Sequence, residues 1–202
     1  LHRAGLRTLD ALDIVSPLTG GGYQPANGAY YNDDDFGRQL KTVAQMIKLD
    51  AGLRVATVDF GGWDTHEYQN DRDGGYMAEL LNSLASGLSN FYLDLDSGYT
   101  EKLSVVVVSE FGRRLVQNES YGTDHGHGSV MFTLGGNVNG GQVFGNWPGL
   151  NNDKLYDHAD LAVTTDYRQV LSEMLAKRTG NTNIESIFPG FSGNYNPLGI
   201  YR

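Results

Sequence analysis

The stretch Leu103-Ser104-Val105-Val106-Val107-Val108-Ser109 constrains the fold of this chain more than any other. It is a near-continuous β-branched run without polar alternation, the pattern of a strand covered on both faces. Arg54 to Phe60 and Val130 to Leu134 also read as strands. Helical spacing lies between and after them. Asp33-Asp34-Asp35 offers capping and first-turn carboxylates, Phe36, Leu40, Val43, Ala44 and Ile47 follow at helical intervals, and Gly52 is a natural stop. Leu80, Leu81, Leu84, Leu88 and Phe91 share one face of a second helix. Thr165-Asp166 caps a last helix with Tyr167, Val170, Leu171, Met174 and Leu175 on its apolar face, and Gly180 ends it. Leu1 to Val15 also reads as helix. Ser16 to Asn32 and Gly135 to Gly145 read as loops, and Ile184 to Arg202 as a surface tail. This alternation predicts one α/β domain over residues 1–202, with a mostly parallel sheet and helices on both sides.

Three polar clusters fall at or just beyond the carboxyl ends of these strands, the edge where open α/β sheets bind ligands. Gly122-Thr123-Asp124-His125-Gly126-His127-Gly128 packs two imidazoles and a carboxylate among glycines. Histidines at i and i+2 project from the same side of an extended segment. Gly61-Gly62-Trp63-Asp64-Thr65-His66 repeats the acid and histidine spacing, and Glu110 follows the apolar run. Histidine and aspartate are good ligands for zinc and similar divalent metals. Asp64-Thr65-His66 alone also fits an Asx-type turn with a surface histidine. Asp124 either joins the ligands or accepts from an imidazole and orients it.

Composition narrows the function. The 202 residues carry a net charge of −9 and no basic run, which argues against nucleic-acid binding. No apolar run is long enough to span a bilayer. There are no cysteines, so a metal site must use nitrogen and oxygen ligands. Such ligation admits zinc, manganese, iron, magnesium or calcium, and the histidines favour zinc or manganese. His2 and His158 have no supporting neighbours and read as surface residues.

Phe60-Gly61-Gly62-Trp63-Asp64-Thr65-His66, Ser109-Glu110-Phe111-Gly112-Arg113 and Gly122-Thr123-Asp124-His125-Gly126 stand in this order in the chain. Together they resemble the bacterial domain-of-unknown-function family fifteen-oh-one, grouped with the alkaline phosphatase and sulfatase superfamily. Gly135-Gly136 through Gly140-Gly141, Thr165-Asp166-Tyr167-Arg168 and Phe188-Pro189-Gly190 add to the resemblance. It implies a three-layer α/β/α sandwich of the alkaline phosphatase type with one or two divalent metals. It also implies export by the twin-arginine route to the periplasm or beyond. The chain would correspond to the C-terminal half of the family domain. The N-terminal part, with its nucleophile and a metal-binding Asp, would be a cleaved half or a companion chain. Exposed sheet edges would then require that partner.

On this resemblance Asp64, His66, Glu110, Asp124 and His125 form much of the metal shell, His127 joins them on its spacing from His125 alone, and Arg113 grips the substrate anion. The expected activity is metal-dependent hydrolysis of small phosphate or sulfate esters. The alternative is an exported metal-binding structural or interaction protein without turnover.

Overall fold

The computed structural model describes Ser16 and residues 22–69, 74–191 and 196–202. The helix expected at Leu1 to Val15, and His2 with it, lie outside the described residues. The chain divides into two compact units. The first holds residues up to Asp64 together with Tyr76–Thr100, and the second holds Thr65–Gly75 and Glu101–Arg202. No helix among the described residues is long and apolar enough to cross a membrane.

The first unit is built on two helices. Helix α1 runs over Asp35–Lys48, and the Asp34 carboxylate caps it by accepting from the Gly37 N–H at 2.7 Å. Helix α2 runs over Tyr76–Thr100, with non-helical backbone at Asp96. Phe36, Leu40 and Ala44 of α1 and Leu80, Phe91 and Leu95 of α2 are buried. Most of these positions follow the spacing read from the sequence. The Phe36 ring stacks on Phe60 at 4.4 Å, and Trp63 meets Phe60 edge-on at 5.5 Å.

A polar knot closes this unit. The fully buried Asp94 carboxylate accepts from the Tyr23 hydroxyl at 2.6 Å, the Tyr31 hydroxyl at 2.8 Å, the Ala26 N–H at 2.7 Å and the Lys48 ammonium at 2.5 Å. Burial pushes this carboxyl up, but the donors from Lys48, Tyr23, Ala26 and Tyr31 outweigh it and hold it below the usual range. Burial and the bond to Asp94 push both tyrosine hydroxyls well above the ordinary phenol range.

The second unit corrects the expected architecture. The chain does not form a three-layer α/β/α sandwich with a mostly parallel sheet. Among the described residues, its named strands make two separate antiparallel pairs. Strand β1 (Ser104–Val107) pairs with β4 (Phe132–Gly135) in the register Ser104↔Gly135 to Val107↔Phe132. Strand β2 (Gly112–Arg113) pairs with β3 (His125–Gly126). The valine run is therefore half-buried beside one partner. Residues 54–60 form no named strand and join no ladder among the described residues, and Val55 is 80 % exposed. An apolar β-branched stretch favours extended backbone, whereas its pairing depends on chain that is distant in sequence.

Helix α3 (Tyr167–Thr179) follows the sequence expectation at both ends. Asp166 accepts from the Arg168 N–H at its start, and Gly180 ends it at φ 70°. The segment after it is not a surface tail. Ile184, Phe191, Ile200 and Tyr201 are buried. Val170 packs with Ile200 and Tyr201, and Met131, Val138, Phe144, Met174 and Leu198 surround them. The buried Glu173 carboxylate accepts from the N–H groups of Leu198, Gly199 and Tyr201 at 2.5, 3.1 and 2.8 Å.

Candidate metal centre

The β2–β3 ladder places the site. Arg113 pairs with His125 across it and Gly112 with Gly126, and the Arg114 N–H continues the pairing to the Asp124 carbonyl at 3.0 Å. The segment that begins at Thr65 lies beside the loop that leads into β3. The Thr123 N–H donates to the Thr65 carbonyl at 3.1 Å, Glu67 bridges Tyr121, and the N–H groups of Tyr68 and Gln69 donate to Ser120 and Tyr121. Gly122 makes this approach possible. A Cβ on it would stand 2.1 Å from both the carbonyl carbon and oxygen of His66. Gly126 does the same in the ladder, where a Cβ would stand 2.5 Å from the Arg113 carbonyl carbon. The glycines of the histidine motif thus remove side chains where two backbones nearly touch.

His66 and His125 meet as a result. Their Nε2 atoms lie 3.1 Å apart, and His66 Nδ1 lies 2.9 Å from Asp124 Oδ1. Hydrogen bonds from His66 and Asn118 hold the Asp124 carboxyl below the usual range, so it is ionised near neutrality and can only accept. In its neutral form the His66 ring therefore carries its hydrogen on Nδ1, which leaves the Nε2 lone pair directed towards His125. Phe111 braces the His125 ring at a centroid distance of 3.9 Å. Asp64, His66 and His125 each offer one ligand atom, and these atoms lie within 4.8 Å of one another.

This donor set fits a divalent metal. Two nitrogens each about 2.1 Å from a tetrahedral zinc lie about 3.4 Å apart, close to the spacing of the imidazoles here. A carboxylate on the remote nitrogen of a ligating histidine is the usual means of fixing its tautomer and orientation.

Of the six expected ligands, Asp64, His66 and His125 come together, and Asp124 stands behind His66 as its acceptor. Glu110 is exposed just past β1 and is not in the group. His127 stacks on Tyr156 at 3.8 Å with the rings 8° from parallel. The Arg113 guanidinium donates to the Thr123 carbonyl at 2.7 Å. Sequence reasoning missed Asn118, whose amide touches both sides of the site, and Gln69, whose Oε1 accepts from the Thr65 and Thr123 hydroxyls at 2.8 and 2.5 Å. No spacing rule picks out a lone amide in a polar turn.

A family model described as "Protein of unknown function (DUF1501)" matches residues 23–187, and the chain belongs to that family. No curated protein and no solved structure matches the chain.

Proposed function

We propose that this member of the family holds one divalent transition metal through His66, His125 and Asp64 and hydrolyses small phosphate or sulfate esters. The observation that carries the metal reading is the pair of imidazole Nε2 atoms facing each other at 3.1 Å, with Asp124 fixing the tautomer of one of them. Three protein donors with exposed carboxylate and imidazole favour chemistry over a purely structural role. Structural zinc sites close with four protein ligands, whereas catalytic sites keep one position for water or substrate. A divalent metal bound there supplies Lewis acidity and lowers the pKa of a coordinated water.

The residues of the chain set up the rest. Asp124 keeps His66 in the Nδ1–H form, so Nε2 is available as a ligand. Phe111 limits rotation of His125. Arg113 and His125 are partners across the β2–β3 ladder, so their side chains leave the same face. That places a permanent cation beside the ligand strand, suited to the anionic part of an ester. Thr65 is 2 % exposed, and its hydroxyl donates to Gln69. The nucleophile in this reading is therefore water or a group from another chain.

The test is zinc and manganese content of the purified chain, followed by release of nitrophenol from phosphate and sulfate esters. The expected result is about one equivalent of metal, with both metal and turnover lost in His125→Ala while circular dichroism is unchanged. Metal retained without turnover on a broad ester panel would leave a binding protein and remove the hydrolase. A wild-type chain that takes up neither metal at micromolar concentration would remove both.

A further inference from the structure

We infer that Asn118 is the positioning residue of this centre, the side chain that sets His66 and Asp124 in their binding arrangement before any metal arrives. The inference rests on the metal reading above. Its geometry lies wholly in the second unit.

Asn118 lies five residues past β2 at the head of the turn that returns to β3. Its amide uses its full capacity. Nδ2 donates to the His66 carbonyl at 2.9 Å and to Asp124 Oδ1 at 3.2 Å. Oδ1 accepts from the N–H groups of Ser120 and Gly122, both at 3.0 Å. Two donors on one side and two acceptors on the other fix which end of the amide is nitrogen. Its backbone closes the same turn, with its N–H donating to the Gly122 carbonyl at 2.9 Å.

The two halves of this amide do different work. The oxygen half shapes the Asn118–Gly122 turn, which carries Gly122 against His66. The nitrogen half reaches the site. It ties the backbone of one histidine to the carboxylate that orients the same histidine's ring, on the very oxygen that accepts from His66 Nδ1. The Asp124 carboxylate is more than half exposed, so without this donor it can rotate away into water. No other side chain reproduces the set. Aspartate keeps the acceptors and loses both donors, alanine loses everything, and glutamine carries its amide one methylene too far.

Two variants separate the halves. Asn118→Asp preserves acceptors for Ser120 and Gly122 while removing both donors to the site. Asn118→Ala removes both halves. Asn139 serves as the control, because its side chain also makes two bonds, to Gly199 and Arg202, away from the centre. Cobalt(II) is the probe, titrated against a competing chelator and followed by its visible absorption. The metal-free protein is examined at pH 8 by long-range ¹H–¹⁵N correlation of its histidine rings.

The metal-free wild type is expected to show His66 as a single Nδ1–H tautomer. Asn118→Asp should show a tautomer mixture and bind cobalt about 10–100-fold more weakly, as expected when a residue supporting a ligand is lost. Asn139→Ala should lose thermal stability and keep both the tautomer and the affinity. Asn118→Asp with an unchanged tautomer and cobalt affinity overturns the inference and leaves the metal reading standing. A wild type that takes up no cobalt overturns the metal reading, and the tautomer comparison still decides the role of Asn118. Equal losses of affinity in the Asn118 and Asn139 variants would show general destabilisation and overturn the positioning role.

Discussion

Replacing Gly122 by alanine tests the idea that backbone approach builds the centre. Gly122 has no positive φ, so the added methyl brings no torsional penalty of its own. Its cost is steric. The new carbon would sit 2.1 Å from the His66 carbonyl carbon and oxygen and 2.5 Å from the Glu67 nitrogen, and all three are backbone atoms with no rotamer to relieve the clash. Ordinary carbon contacts need about 3.5 Å, so the two segments must part by more than 1 Å. That separation strains the bonds that join them, namely Thr123 to Thr65, Tyr68 to Ser120, Gln69 to Tyr121 and Asn118 Nδ2 to His66. At about 0.5–1.5 kcal/mol each, losing all four costs about 2–6 kcal/mol. Gly140→Ala is the matched control. Nothing lies within 4 Å of a Cβ there and its φ is not positive, so the change should be neutral or stabilise by up to about 1 kcal/mol. Urea unfolding monitored in the second unit measures both variants, and cobalt uptake shows whether the imidazoles still meet. A Gly122→Ala protein within about 0.5 kcal/mol of wild type, binding metal normally, would refute the reasoning.

The Asp94 knot should dominate the stability of the first unit. Asp94→Ala strands a mostly buried ammonium and two tyrosine hydroxyls, and should cost about 3–5 kcal/mol in urea unfolding, whereas a loss under about 1 kcal/mol would show that the knot is incidental. The same group sets an acid limit. Its folded pKa lies below the unfolded value near 3.9, so its stabilisation is full above that value and fades as pH falls through the folded one. Tyr23 and Tyr31 act in the opposite sense. Their folded pKa values lie above the unfolded value near 10, so their contribution is full below pH 10 and fades as pH rises beyond it. The gap between thermal scans of wild type and Asp94→Ala should therefore be widest between about pH 5 and 9 and narrow towards pH 3 and pH 11, and curves separated by a constant gap would count against this assignment. Glu173→Gln should raise hydrogen exchange at residues 198–201, since an amide offers one acceptor oxygen where the carboxylate offered two. Unchanged protection there would detach Glu173 from holding the C-terminal segment.

Local features of the fold were legible in the sequence, and its pairing was not. Asp34 and Asp166 cap helices because a carboxylate reaches an N–H two or three residues away, and Gly180 ends α3 in the left-handed region that glycine favours. These are short-range facts. The valine run at Ser104–Val107 is a strand as expected, but the sequence has no local sign that its neighbour is β4 and antiparallel. Residues 54–60 have the composition of a strand and gain no partner among the described residues. The burial of Ile200 and Tyr201 depends on Glu173 and Val170, about thirty residues earlier, and their Pro/Gly-rich surroundings mimic a loop.

The centre divides along the same line. Spacing revealed His66, His125 and their acidic neighbours, because chemistry-bearing residues set among glycines are unusual enough to read one by one. Spacing could not separate His125 from His127. Successive side chains along β3 alternate, so residues two apart begin on the same face, yet one ring meets His66 and the other stacks on Tyr156. What separates them is their surroundings. The segment carrying His66 lies against Gly122, whereas Gly128 turns the chain towards Leu161, to which its N–H donates at 2.7 Å. The assignment of ligands therefore rests on which segment each glycine admits, and the Gly122 and Asn118 variants bear on that step directly.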